Sequence, residues 1–234
     1  MPDATAYISQ FVAYLPIEVK VNGRLISRQP IENSVPPLAP TWSLKEAAVD
    51  LGDGVKANIE LFGAVTGDVR ISLNNIECGG QKLDGNMILR QGLGVLRTFR
   101  SGFGLATTSL ISVYQFGGVA DFLFLQPTAG REALTTESMQ ALQRVVTRID
   151  DFVSLSLSRR PECNASQSFV AWAFKHRRFD LCSNLRVRIE PGDSLSLREI
   201  RDTSLKAPML LYSGNDPATV KHASEEKPIV LPSP

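Results

Sequence analysis

Apolar side chains recur at every second position between residues 49 and 76, and glycine dipeptides interrupt the run. Val55, Ala57, Ile59 and Leu61 form one alternation, and Val69, Ile71 and Leu73 form another. Asp53-Gly54 and Gly67-Asp68 mark the turns. A period of two places these residues on one face of a pleated backbone, so the segment reads as strands joined by turns. Further along, Met139, Leu142, Val145, Val146, Ile149, Phe152 and Val153 fall on one helical stripe. Thr135 or Thr136 suits the cap, Glu137 complements the first-turn dipole, and the helix runs to about Leu157. That stripe is core packing, not a cofactor box.

The remaining elements follow the same logic. Ile8, Phe11 and Val12 recur at helical spacing before Pro16 stops the helix. A helix that opens this abruptly suggests a chain taken from something longer. Ile17, Val19 and Val21 alternate, and Asn22-Gly23 suits a type I′ hairpin turn. Gln29 to Pro40 is proline-rich and aperiodic, hence a loop. Met87 to Phe99 reads as one or two short strands, and Phe116 to Leu125 as a buried strand. A second helix, about Ala165 to Phe174, turns Phe169, Trp172 and Ala173 inward. Pro208 to Tyr212 and Pro228 to Leu231 are short strands around a helix expected from Pro217 to about Glu226, so they form a parallel pair. The fold class is α+β: a β-sheet with packed helices, a helical connector and a small C-terminal α/β subdomain.

Composition excludes more than it suggests. With 234 residues, 43% hydrophobic, 21% charged and a formal net charge of +1, nothing marks an extended nucleic-acid or membrane surface. No signal-peptide pattern opens the chain, and no apolar stretch approaches the roughly 20 residues of a membrane span. A cytoplasmic protein is expected. Cys78, Cys163 and Cys182 are too few for a disulfide framework. Cys163, His176 and Cys182 supply three ligands without paired spacing, whereas a structural zinc takes four, so buried or idle thiols are the better reading.

Catalytic patterns are missing in the same way. No Gly-x-Ser-x-Gly elbow occurs, and no Cys or Ser has a base partner. Asp150 and Asp151 are adjacent on a helix and diverge. Ser101-Gly102-Phe103-Gly104, near Arg97 and Arg100, has no Gly-Lys-Ser/Thr after it and reads as a strand connection. The basic residues Arg177, Arg178, Arg186 and Arg188 interleave with Asp180, Glu190 and Asp193, as on a solvated face. His176 and His222 read as surface residues.

One constellation stands apart. Gly118-Val119-Ala120-Asp121 reads as a glycine turn leading into an apolar strand, Phe122 to Leu125, and a loop, Gln126 to Gly130. That loop delivers Arg131-Glu132 to the start of the long helix. A guanidinium at such a junction offers five donors in a planar fork that matches a phosphate.

Three stretches together resemble the middle segment of heat-shock-protein-90-type chaperones, which are GHKL ATPases. They are YISQFVAYLPI (residues 7–17), GVADFLFLQPTAGRE (118–132) and SLSLREIRDTSLKAPMLLYSGNDPATVKHAS (194–224). The resemblance implies that residues 1–15 end an N-terminal ATPase domain, 16–160 form the larger subdomain, with a ribosomal-protein-S5-like first part, 161–207 a helical connector and 208–234 the small α/β subdomain. It implies that Arg131 reaches the γ-phosphate of ATP held with Mg2+ by the preceding domain, and that Glu132 holds the loop or begins the helix. It further implies client or partner proteins, a homodimeric full-length protein, and a chain that neither binds nor hydrolyses ATP alone. The sequence departs from the family at the apolar Phe122-Leu123-Phe124 and at Gly130. These departures favour the alternative of a protein-interaction scaffold with the same fold and no nucleotide role.

Overall fold

A computed structural model describes residues 4–130, 133–214 and 216–231. The backbone divides into two units, Met1–Val153 and Ser154–Pro234, and both helices and sheets are present, so the class is α+β. In the first unit α1 (Ala4–Val12) precedes a hairpin of β1 (Lys20–Val21) and β2 (Arg24–Leu25). Its turn residues Asn22 (φ 51°) and Gly23 (φ 78°) both take positive φ, the type I′ geometry foreseen from the dipeptide.

A seven-stranded sheet fills the rest of this unit. Its strands are β3 (Trp42–Gly52), β4 (Val55–Gly63), β5 (Val69–Cys78), β6 (Gln81–Arg90), β7 (Leu96–Arg100), β8 (Phe103–Thr108) and β9 (Gly117–Phe122). They lie in the order β3-β4-β5-β6-β9-β7-β8. All neighbours are antiparallel except β7 and β9, which run parallel. The helix α2 (Thr136–Ser158) follows, as its apolar stripe predicts.

The alternation read from sequence sorts the sheet into two faces. Val55, Ala57, Ile59, Leu61, Val69, Ile71, Leu73, Met87 and Leu89 are buried on one, and Leu142, Val145, Val146 and Ile149 of α2 are buried as well. Apart from Ala57, each such side chain contributes about 1.5–3 kcal/mol relative to exposure. The opposite face carries a smaller core of Val35, Ile88, Phe99 and Val119, closed by Tyr14 and Ile31 from the N-terminal segment. The proline-rich loop therefore works as a strap. Arg90 donates to the Pro37 carbonyl at 2.8 Å and Arg97 to the Ser34 carbonyl at 2.9 Å.

The glycine pair before Asp121 does not form a turn. Gly117 and Gly118 lie inside β9, between β6 and β7, and the strand ends at Phe122 instead of beginning there. Close packing is the cause. A Cβ on Gly117 would lie 2.6 Å from the Val95 nitrogen, and one on Gly118 would press into the Ile88 carbonyl oxygen. Gly118 also holds φ 141°, which L side chains rarely adopt.

In the second unit α3 (Gln167–Lys175) is capped by Ser166, whose Oγ accepts from the Phe169 amide at 3.2 Å. Phe169, Trp172 and Ala173 are buried, as their spacing predicts. Within 161–207, expected as a helical connector, two strands also occur: β10 (Arg186–Glu190) and β11 (Ser194–Ser196). They join β12 (Leu210–Leu211) and β13 (Ile229–Leu231) in a sheet of order β11-β10-β13-β12. The foreseen parallel pair is present, with Leu210 opposite Ile229 and Leu211 opposite Val230. Between β11 and β12 lies α4 (Leu197–Ser204), whose Ser196 and Glu199 make a reciprocal capping box. The helix expected to reach Glu226 is shorter. α5 covers Pro217–Val220 only, because a bridge between Ser224 and Lys227 takes over the backbone there.

Candidate functional site

Arg131 and Glu132, the residues singled out from the sequence, lie outside the described residues. The loop limbs on either side of them are described in detail. From the end of β9 onward, Phe122 and Leu125 are buried while Leu123 is 50% exposed, so much of the apolar run is used inside the fold. Phe124 packs on Phe122 with ring centroids 5.5 Å apart. The Gln126 amide donates to Ser138 Oγ at 3.0 Å, and the Thr135 amide donates to the Gln126 carbonyl at 2.9 Å. Pro127 and Leu134 then form a β-bridge, and the Thr128 amide donates to the Ala133 carbonyl at 2.8 Å.

The two limbs are thus closed from the helix start up to Thr128 and Ala133. Ala129 and Gly130 are exposed beyond that point. Thr135 completes the base: its Oγ1 accepts from the Ser138 amide at 3.4 Å and its carbonyl from the Met139 amide at 3.0 Å, so loop and helix start are one hydrogen-bonded structure.

Asp121 anchors the other end of this segment. Its Oδ2 accepts from the Gly102 amide at 2.9 Å, tying β9 to the turn between β7 and β8. Ser101 (φ 52°) and Gly102 (φ 79°) form that turn, so the glycine-rich connection is a hairpin, not a phosphate loop. Gly102 also packs against the Tyr14 backbone, where a Cβ would lie 3.0 Å from the Leu15 nitrogen. Burial pushes the Asp121 carboxyl above its ordinary pKa of 3.8, with the Gly102 and Ser101 amides acting the other way. Its Oδ1 is shielded and unpaired, as is Oδ1 of Asn86 directly across on β6.

Two hollows flank the loop base. One, of about 570 Å³, is lined by Gln81, Phe124, Gln126, Thr135, Ser138 and Arg144. The other, of about 400 Å³, is lined by Phe11, Arg100, Phe103 and Pro127. Tyr7, Phe11 and Phe103 make an aromatic row there, with ring centroids 5.3 Å and 6.3 Å apart.

The other sequence candidates stay dispersed. Among the described residues no group of three or more His, Cys, Asp or Glu side chains is arranged to hold a metal. Cys163 and Cys182 are buried; burial pushes Cys163 up to about 11 and also raises Cys182, so neither is a thiolate near neutrality. Asp150 is buried and accepts from Ser112 Oγ at 2.7 Å and the Val113 amide at 2.8 Å, while Asp151 pairs with Arg148 at 3.2 Å. The two carboxylates diverge as expected. His176 is exposed at the end of α3, packed beside Trp172. No helix among the described residues is long and apolar enough to cross a membrane.

Fold and loop define an α+β protein with a hydrogen-bonded loop base after β9. No protein-family model matches the chain, and no curated protein matches it significantly.

Proposed function

We propose that this chain is the middle, client-binding and ATPase-completing segment of a heat-shock-protein-90-like GHKL ATPase, with a ribosomal-protein-S5-like first part. Arg131 is lent to the γ-phosphate of ATP that a preceding domain holds with Mg2+, and Glu132 stands beside it. A transferring phosphoryl group spreads negative charge over its equatorial oxygens, and a cation already in position stabilises that charge without reorganising. The observation that carries this reading is the closed loop base. Thr128 and Ala133 are hydrogen-bonded to each other three residues before and two residues after Arg131, and Ser138 and Thr135 fix both limbs to a helix start. An aromatic row of Tyr7, Phe11 and Phe103 beside Pro127 offers the apolar surface on which a second domain would seat. Exposed Leu205, Leu210 and Leu211 suit a client or partner protein. The full-length protein is then a cytoplasmic homodimer, and this segment alone is inactive.

ATP turnover by the protein that includes the nucleotide domain tests the reading. Arg131→Ala should lower kcat by about 100-fold or more, the usual cost of deleting one charge-stabilising donor. Arg131→Lys should recover part of the loss, because it restores charge without the fork. Wild-type turnover in Arg131→Ala would refute the nucleotide role and leave the interaction-scaffold reading in its place.

A further inference from the structure

The strap-covered face of the sheet holds a cation with no ion-pair partner among the described residues. Arg70 on β5 lies directly opposite Arg90 on β6, so two guanidinium groups share one cross-strand position on one face. Like charges so placed repel. Arg90 is committed to the Pro37 carbonyl. Among the described residues neither arginine has a carboxylate within 4.0 Å, and the Arg70 side chain makes no hydrogen bond, although its Nε is shielded from solvent. Glu60, on the same face of β4, is already paired with Lys45 at 3.6 Å.

Arg70 lines a groove of about 470 Å³ between the strap and the sheet. Phe62, Pro37, Leu38 and Pro40 supply its apolar walls, and Glu32 stands on the strap beside it. The strap is held in place by the bonds from Arg90 and Arg97, so the groove exists before any ligand arrives. Its size falls within the range of small-molecule sites, and its make-up is the usual one of apolar walls with a few placed polar groups, here Arg70, Asn33 and Glu32.

We propose that this groove binds a small organic monoanion, a carboxylate carried on an apolar body. The carboxylate takes the unused fork of Arg70, and the body lies against Phe62 and the strap prolines. One free guanidinium with a Glu32 carboxylate nearby favours a single negative charge over a phosphate dianion. This site is separate from the loop after β9 and does not depend on a nucleotide role.

Titration calorimetry on the whole chain, with 4-phenylbutyrate and its neutral amide as probes, tests the proposal. The acid should bind at least ten times more tightly than the amide. Arg70→Gln should erase that preference while the melting temperature stays within a few degrees, because no bond of the fold is lost. Glu32→Gln should tighten acid binding. Equal affinity for acid and amide, no binding of either in the millimolar range, or an unchanged preference in Arg70→Gln would each overturn it. The acid-to-amide comparison on the wild-type chain decides the matter even where a variant does not fold.

Discussion

Replacing Gly118 by alanine separates two reasons for a glycine at the start of the segment that leads to Arg131. The first is backbone conformation: φ 141° lies where L side chains rarely go, and such strain costs about 1–3 kcal/mol. The second is space. An added Cβ would sit well inside 3.0 Å of the Ile88 carbonyl oxygen and 3.3 Å from Leu89 Cα, both backbone atoms of β6 that cannot swing away. Overpacking of this kind costs about another 1–3 kcal/mol. Together Gly118→Ala should cost about 4 kcal/mol, which lowers Tm by about 8–16 °C for a unit of this size. Gly92 is the control. It also has positive φ (81°), but nothing lies within 4 Å of its added Cβ. Gly92→Ala should cost only about 1–2 kcal/mol. Both variants stiffen the unfolded chain equally, so that contribution cancels in the comparison. Thermal melts followed by circular dichroism give the answer. A Gly118→Ala protein that melts no lower than Gly92→Ala would refute the claim that β9 is clamped between β6 and β7 at this residue.

Asp121 should give a pH signature. Its folded pKa is raised, so its contribution to stability is present below the ordinary value of 3.8 and is lost as pH rises through the folded value. Asp121→Asn should therefore gain stability relative to wild type between pH 4 and pH 7, read from paired melts; a difference independent of pH would contradict this. Ser138→Ala leaves the Gln126 amide unpaired, at a cost of about 1–3 kcal/mol, and should speed tryptic cleavage at Arg131. Ser196→Ala removes the α4 cap and should cost the second unit about 1 kcal/mol in urea unfolding, with the first unit unaffected. Cys163, buried and with its thiol pushed up to about 11, should resist iodoacetamide at pH 8 in the native state and react once denatured.

Local rules made much of this fold legible. Asn22-Gly23 and Asp53-Gly54 take the positive φ values that their residue types invite. The α2 stripe and its Thr135 cap were readable because a long periodic run leaves little ambiguity. β6 was harder, since Gly85 interrupts its apolar pattern; the glycine is needed where an added Cβ would lie 2.8 Å from Phe122 Cα on β9. β10 alternates arginine with apolar residues, and in the sequence its charges drew attention away from its period of two. The Ser196–Glu199 capping box was a usable signal for α4. Gly118 misled for a general reason: a glycine required by a neighbouring strand looks, in one dimension, like a glycine required by a turn. At the site, the junction of loop and helix could be read from residue types, whereas the Ser138 and Asp121 anchors and the unpaired Arg70 depend on partners far away in sequence.

The central claim is that Arg131 serves the charge on the transferring γ-phosphoryl group, not the rest of the nucleotide. The direct measurement is the affinity of the protein that includes the nucleotide domain for ADP with aluminium fluoride, a mimic of the transferring phosphoryl group, compared with ADP alone. Arg131→Ala should lose about 100-fold or more of the affinity for the mimic and leave ADP affinity unchanged. Equal losses for both ligands, or no loss for either, would contradict the account.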